Sequence, residues 1–308
     1  MRIAILGAGA VGGYYGGRLV EAGADVTFLV RGDRKARLDR DGLVIESPLA
    51  SARLDVKSAV EAAVLPPVDI VMLAPKAYDL NSALDAVGPI VGPNTVILPL
   101  LNGIAHMDRI AARFPHAAVW GGIAHIGVTL DSDGRIHHLD AFNRIIFGPR
   151  GPAADPRAKV LQTMFAATPV QSETRVLIEQ ALWEKLVFLA VLAAATSLFR
   201  ANIGVIRETT VGRDVIGRML DETIAIAVAD GYSPTLYELD KYRIELDRER
   251  SPSTSSMLRD IERGAPTERA HILGDLLERA VRHGIPTPKL SLADSVIQAY
   301  EKQRTTDT

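Results

Sequence analysis

The stretch that decides the fold is Met1–Gly17, MRIAILGAGAVGGYYGG. Arg2–Leu6 has the apolar bulk of a buried strand, and Gly7, Gly9 and Gly12 follow it in the spacing G-x-G-x-x-G. Tyr14, Tyr15, Leu19 and Val20 then recur at helical spacing. Each glycine has a separate physical use. Gly7 turns the chain out of the strand, Gly9 lets a pyrophosphate approach the backbone, and Gly12 lets the helix pack on the strand. The backbone of Gly7, Ala8, Gly9, Ala10, Val11 and Gly12, with the positive end of the helix behind it, is the expected phosphate-binding segment. A glycine-rich structural turn would share the composition. The strand before and the helix after give the motif the context that nucleotide binding requires.

Asp25–Val30 reads as the second strand, so the chain opens β-α-β. NAD-binding units usually end this strand in an acid that takes the ribose 2′-hydroxyl. Here it ends in Val30-Arg31-Gly32-Asp33, and an arginine at that point suits a 2′-phosphate, hence NADP(H). Asp33 is the competing candidate; its alternative is to cap a helix over Arg34–Arg40. Val68–Leu73, bounded by prolines, reads as a buried parallel strand with Lys76 just beyond it. Lys76 is either a ligand contact or a surface charge. Thr95–Leu100 is a further strand, followed by Asn102 and Gly103. Asn102 either caps the next helix, faces the ligand, or does both.

Bulk properties narrow the function. The 308 residues allow two domains, the net charge of −2 gives no sign of a nucleic-acid partner and none is expected, and seven histidines accompany no cysteine. Disulfides, thiolate metal sites and a cysteine nucleophile are thereby excluded. No metal site is expected, because His137 and His138 are adjacent on a strand and point to opposite faces. The start of the chain lacks the pattern of a signal peptide. The longest apolar run, Leu186–Phe199, is about 14 residues, short of the roughly 20 that span a bilayer. A cytoplasmic protein with no membrane partner is therefore expected.

Ala117–Gly148 alternates like antiparallel strands closing the sheet. Strands are expected to stop after Val170, and helices to take over: Thr174–Phe199, Arg213–Asp230, Pro234–Arg250, Ser255–Arg263, Thr267–His283 and Leu290 to about Lys302. The expected fold is α/β: an N-terminal Rossmann-type doubly wound sheet (1–173, NADP-binding) followed by an all-helical C-terminal domain (174–308, substrate and catalysis). The last residues, from Arg304, are expected to fray.

In the helical half two segments stand out. Lys185 heads a long apolar helix with Leu189 and Ala193 one and two turns along its face. Desolvated, such a lysine has a lowered pKa suited to proton transfer; otherwise it snorkels to water. Ser255-Ser256 and Thr267-Glu268 each precede a helical stretch, where a serine or an acid is often only a cap or a dipole complement.

Taken together, these residues resemble the ketopantoate reductase (2-dehydropantoate 2-reductase) family. The matching pieces are the glycine motif, Arg31, Lys76, Leu101-Asn102-Gly103, Trp183-x-Lys185-Leu186, Ser255-Ser256-Met257-Leu258-x-Asp260, Thr267-Glu268 and His283-Gly284-Ile285-Pro286-Thr287-Pro288. They span nearly the whole chain in order. The resemblance implies Lys185 as general acid, Glu268 at the cofactor and active site, Ser256 as a substrate contact and Arg31 on the 2′-phosphate. It also implies that Lys76 and Asn102 line the cofactor cleft. The implied reaction is NADPH-dependent reduction of a small 2-oxo acid. Monomers and dimers both occur in the family, and the apolar helical half favours a homodimer.

The chain departs from the pattern where asparagines usually meet the polar groups of pantoate. Those positions hold Leu189 and Ala193. A further one falls on Ile203, beside Asn202, and another on Leu273. A buried polar group left unpaired costs about 1–3 kcal/mol, so substrate-binding positions Leu189 and Ala193 predict a less polar substrate. A β-hydroxyacid dehydrogenase and a non-catalytic NADP(H) sensor are the alternatives. The Ser-Ser-Met-Leu and Thr-Glu segments argue against the first, and retention of Lys185 against the second.

Overall fold

The computed structural model describes residues 1–151 and 153–306. The chain divides into two compact units, residues 1–101 with 106–178, and residues 102–105 with 179–308. The expected boundary was 173/174; the units divide after Ile178, and four residues that follow a sheet strand belong to the second unit.

The first unit contains a mixed sheet. Its strands are β1 Arg2–Leu6, β2 Asp25–Leu29, β3 Leu43–Glu46, β4 Ala52–Leu54, β5 Lys57–Ala59, β6 Ile70–Leu73, β7 Val96–Pro99, β8 Ala118–Leu130, β9 Ile136–Pro149 and β10 Gln171–Thr174. The spatial order is β4-β3-β9-β8-β7-β6-β1-β2-β5, with β10 on β9. From β1 the parallel sheet grows one way through β2 and β5 and the other through β6 and β7, which is the doubly wound arrangement. The β8–β9 hairpin is antiparallel, as the alternation predicts, but it lies inside the sheet instead of closing it, since β3 pairs with β9 and β4 with β3 beyond it.

Strand alternation sends Ile3, Ile5, Phe28, Met72 and Leu98 to one face, against helix α1 (Ala10–Glu21), where Tyr14, Tyr15 and Leu19 are fully buried. Ala4, Leu29, Val71, Leu73 and Ile97 face the other side, packed with Leu80, Leu84 and Val87. Each of the buried Val, Leu, Ile, Phe and Met side chains contributes about 1.5–3 kcal/mol on burial. The other helices of this region are α2 Gly32–Asp41, α3 Leu80–Val87, α4 Ala105–Arg113 and α5 Pro156–Phe165.

Several expectations need correction. Strands do not stop at Val170: β10 pairs in parallel with β9. Its sequence, Gln-Ser-Glu-Thr, lacks an apolar pattern because backbone pairing and the Arg144–Glu173 ion pair hold it rather than burial. The short β5 was likewise invisible, with only Ala59 buried. Asp33 is not the cap of α2; the helix starts at Gly32, Arg31 occupies the capping position, and Asp33 lies in the first turn.

The second unit contains α6 Ile178–Phe199, α7 Ile203–Glu208, α8 Gly212–Ala229, α9 Leu236–Leu246, α10 Ser256–Glu262, α11 Asp275–His283 and α12 Pro288–Thr306. α12 is helical to Thr306; the last two residues of the stretch expected to fray, Asp307 and Thr308, lie outside the described residues. α7 was not anticipated; Asn202 caps it, its side-chain oxygen accepting from the Val205 amide at 2.9 Å. The asparagine beside Ile203 therefore has a structural task. α6 is longer than its apolar run. At 22 residues it is long and apolar enough to cross a membrane, and 67% of its most apolar window is buried inside the protein, as in a core helix.

Candidate functional site

In the first unit the glycine motif builds an anion cradle. Gly7 has φ +88°, and its amide bonds to the Leu29 carbonyl at 2.8 Å, tying the loop to the end of β2. A Cβ on Gly12 would stand 2.6 Å from the Gly7 carbonyl oxygen and 3.3 Å from Ile5, so only glycine permits this helix–strand approach. A Cβ on Gly9 would meet nothing within 4 Å: the space over the loop is open. Gly9 caps α1 without a side chain, and the first turn of α1 carries no acid. Amides, dipole and space thus fit a phosphate group. Ala8, Ala10 and Val11 supply the remaining backbone.

Arg31 stands two residues past β2 and is exposed, in position to offer its charge outward. Lys76 stands three residues past β6, where its carbonyl starts the turn Ala77–Asp79 by accepting from the Asp79 amide at 2.9 Å. His137 and His138 diverge. His137 meets Asp131 at 2.7 Å and Glu46 at 3.1 Å, while His138 is buried against Ser47 at 2.9 Å and Tyr14 at 3.4 Å.

The second unit assembles a different constellation. α6 carries Lys185, Leu189 and Ala193 at four-residue intervals. The Lys185 ammonium donates to the side-chain oxygen of Asn102 at 3.1 Å. Burial pulls it from the ordinary 10.5 to about 8, and the charge of Glu268 acts against that shift. The neighbours of Lys185 fix its place along the helix. The Trp183 ring stacks on Tyr232 with centroids 5.7 Å apart, and the Arg279 guanidinium lies 5.3 Å over its centre. The buried Glu184 carboxylate accepts from the Thr235 amide at 3.1 Å, and its backbone carbonyl accepts from the Tyr242 hydroxyl at 2.6 Å.

Glu268 is buried and precedes a segment that the sequence did not foretell. Thr267–His283 is not one α-helix: Ala270–Gly274 forms a π-turn, and α11 begins only at Asp275. The Glu268 carbonyl accepts from the amides of both His271 and Ile272 at 3.1 Å. Such widened turns recur at functional sites. Flanking contacts hold the segment to α12, since Thr267 bonds Glu301 and Arg269 pairs with Asp294 at 2.8 Å and Glu301 at 3.0 Å.

Gly103 joins these pieces. Its φ is +80°, and a Cβ there would lie 2.9 Å from the His271 carbonyl oxygen and 3.0 Å from its ring. The Asn102–Gly103 turn is therefore seated on the π-turn that follows Glu268, and it presents Asn102 to Lys185. Ser255, not Ser256, is the structural serine: it caps α10 by accepting from the Leu258 amide at 3.0 Å and meets Thr196 at 2.8 Å. Ser256 comes next and stays partly exposed. Leu189 keeps some exposed surface, whereas Ala193 has none.

The structure thus brings Lys185, Glu268 and Asn102 into one unit, and the glycine loop, Arg31 and Lys76 into the other. Asn102, expected to line the cofactor cleft, has its side-chain oxygen on Lys185. His271 escaped the sequence reading, although it lies one turn beyond Glu268. Arg34 escaped it entirely.

Comparison with known proteins agrees with this organisation. The family model described as ketopantoate reductase PanE/ApbA matches residues 3–152, and its C-terminal counterpart matches residues 177–301. An uncharacterized oxidoreductase, YkpB, from Bacillus subtilis is 35% identical over 99% of this chain and 100% of its own. A 2-dehydropantoate 2-reductase from Halobacterium salinarum is 29% identical over 96% of this chain and 98% of its own. The crystal structure of 2-dehydropantoate 2-reductase from Geobacter metallireducens superposes with a TM-score of 0.87 at 30% identity, covering 97% of this chain and 99% of that one. With both halves matched and near-complete coverage, this chain belongs to the ketopantoate reductase family of oxidoreductases.

Proposed function

We propose that this protein reduces the ketone of a 2-oxo acid to a 2-hydroxy acid with NADPH, acting on ketopantoate or a less polar relative. The observation that carries the reading is Lys185: an ammonium held near pKa 8 between an amide acceptor and a buried carboxylate. Bound along the glycine loop, NADPH supplies the hydride that reduces the ketone carbon. The oxygen of that ketone gains negative charge as its carbon is reduced. Lys185 Nζ gives this oxygen a proton and recovers one from solvent, leaving a hydroxyl. A positioned acid of this kind contributes about 10²–10⁴ in rate.

Asn102 aims the ammonium, and Glu268 keeps it charged. Ser256 is assigned to the substrate and Arg31 to the 2′-phosphate, with Lys76 toward the cofactor. Leu189 supports an apolar substrate side chain, because an amide at this position would offer hydrogen bonds that leucine lacks. Exposed apolar side chains on α9, among them Leu236, Tyr237 and Ile244, support a homodimer. A cytoplasmic setting, reducing and suited to a cysteine-free chain, completes the proposal.

The test is consumption of NADPH against a panel of 2-oxo acids graded in side-chain polarity. Turnover of at least one member supports the reading. No turnover of any, with the protein folded and cofactor bound, removes it.

A further inference from the structure

Arg34 has no part in the motif, yet it is the side chain that grips the glycine loop. Its Nε and one terminal nitrogen both donate to the Ala8 carbonyl, at 3.1 Å and 2.8 Å. The other terminal nitrogen donates to the Gly134 carbonyl at 2.9 Å, in the turn between β8 and β9. One α2 turn further on, Arg37 donates to the Ser132 carbonyl of the same turn at 2.6 Å. The guanidinium is thus a bridge between the glycine loop and the β8–β9 hairpin. Gly134 is shaped to accept it, with φ +81° and a Cβ position that falls 2.9 Å from Arg37 Cδ and closer still to the Arg34 head.

The bridge has a consequence for the loop. In a trans peptide the carbonyl and the amide N–H of the next residue point in opposite directions. Fixing the Ala8 carbonyl toward Arg34 therefore fixes the Gly9 N–H pointing away from Arg34, and the space beside Gly9 is open, since a Cβ there would meet nothing within 4 Å. The donors that reach Ala8 and Gly134 are those a planar fork supplies, and a lysine could not span both carbonyls. Arg34 is committed to these contacts, whereas Arg31 is exposed and is the cation assigned to a 2′-phosphate.

We propose that Arg34 is a cofactor-positioning residue: it holds the Ala8–Gly9 peptide so that the Gly9 amide faces the pyrophosphate, serving NADPH and NADH alike. This rests on the dinucleotide reading above and adds a division of labour, Arg34 for the phosphates common to both cofactors and Arg31 for the one that distinguishes them.

The experiment compares wild type, Arg34→Ala, Arg34→Lys and Arg31→Ala by titration calorimetry with NADPH and with NADH, and by amide hydrogen exchange of residues 7–11 without cofactor. Arg34→Ala is expected to weaken both cofactors by a common factor of about ten and to speed exchange in the loop. Arg34→Lys is expected to behave nearly as Arg34→Ala, and Arg31→Ala to weaken NADPH alone. Should Arg34→Ala fail to fold, Gly134→Ala displaces the guanidinium from outside the loop and is expected to weaken both cofactors equally. Loss confined to NADPH would make Arg34 a phosphate reader and overturn the proposal. Unchanged binding of both, or unchanged loop exchange, overturns it as well. If wild type binds neither cofactor, the dinucleotide reading falls and the role of Arg34 falls with it.

Discussion

Lys185 and Asn102 lie 83 residues apart in the chain and 3.1 Å apart in space, the ammonium donating to the side-chain oxygen. The bond orients the group that carries the proposed chemistry. It favours the charged form of a lysine that burial otherwise discharges. Asn102→Leu should therefore lower kcat roughly tenfold, the scale of one hydrogen bond to a charged group. It should also move the alkaline fall of kcat to lower pH. A pH–rate profile of the variant measures both; a reduced kcat with an unmoved profile would show that Asn102 acts otherwise.

The pH dependence follows from the Lys185 value of about 8. A general acid works only while protonated, so reductive turnover should hold below pH 8 and fall as pH rises through it. Glu268 raises the lysine pKa against the larger effect of burial. Glu268→Gln removes the charge, and the fall should then begin at lower pH than in wild type. Profiles of kcat for the two proteins, taken at saturating cofactor, check the direction.

Arg31 is exposed at the capping position of α2, where its charge faces outward. Arg31→Ala should raise the KM for NADPH by about tenfold and leave that for NADH nearly unchanged, because only the phosphate contact is lost. Initial-rate measurements with both cofactors decide it, and equal use of the two by the unaltered protein would contradict the assignment.

Under the proposed reading, Leu189, one turn beyond Lys185 on α6, makes the pocket less polar. Substrates with apolar side chains should match or exceed ketopantoate in kcat/KM, and Leu189→Asn should shift the ratio toward ketopantoate. A wild-type kcat/KM for ketopantoate tens of times above every apolar analogue would refute the less polar pocket.

Much of this was legible in the sequence where one residue type answers one physical demand. Gly7 and Gly12 announce the strand–turn–helix opening because a positive φ at the first and a close helix–strand approach at the second demand glycine. Ile70–Leu73, the apolar part of Val68–Leu73, announces a buried strand because a strand covered on both faces reads as a continuous apolar run. The unforeseen elements are those held by polar or backbone interactions. β10 is a strand of four polar residues, and the π-turn at Ala270–Gly274 has the composition of an ordinary helix. Arg34 gave no signal, since its partners are backbone carbonyls at Ala8 and Gly134, 26 and 100 residues away. Asn102 was noticed at a strand end, but its contact with Lys185 depends on Gly103 seating against His271, which spacing alone does not encode. Trp183 and Glu184 were legible as neighbours of Lys185, but not as the anchors that fix it.

The central claim is that Lys185 is the general acid. The most direct measurement is kcat of Lys185→Ala with saturating NADPH and the best 2-oxo acid, alongside its dissociation constant for NADPH. The account predicts a fall in kcat of at least about a hundredfold with the NADPH constant nearly unchanged, because it assigns the phosphates to the glycine loop of the first unit. Retention of more than about a tenth of the activity would contradict it and assign the proton to water or to another group.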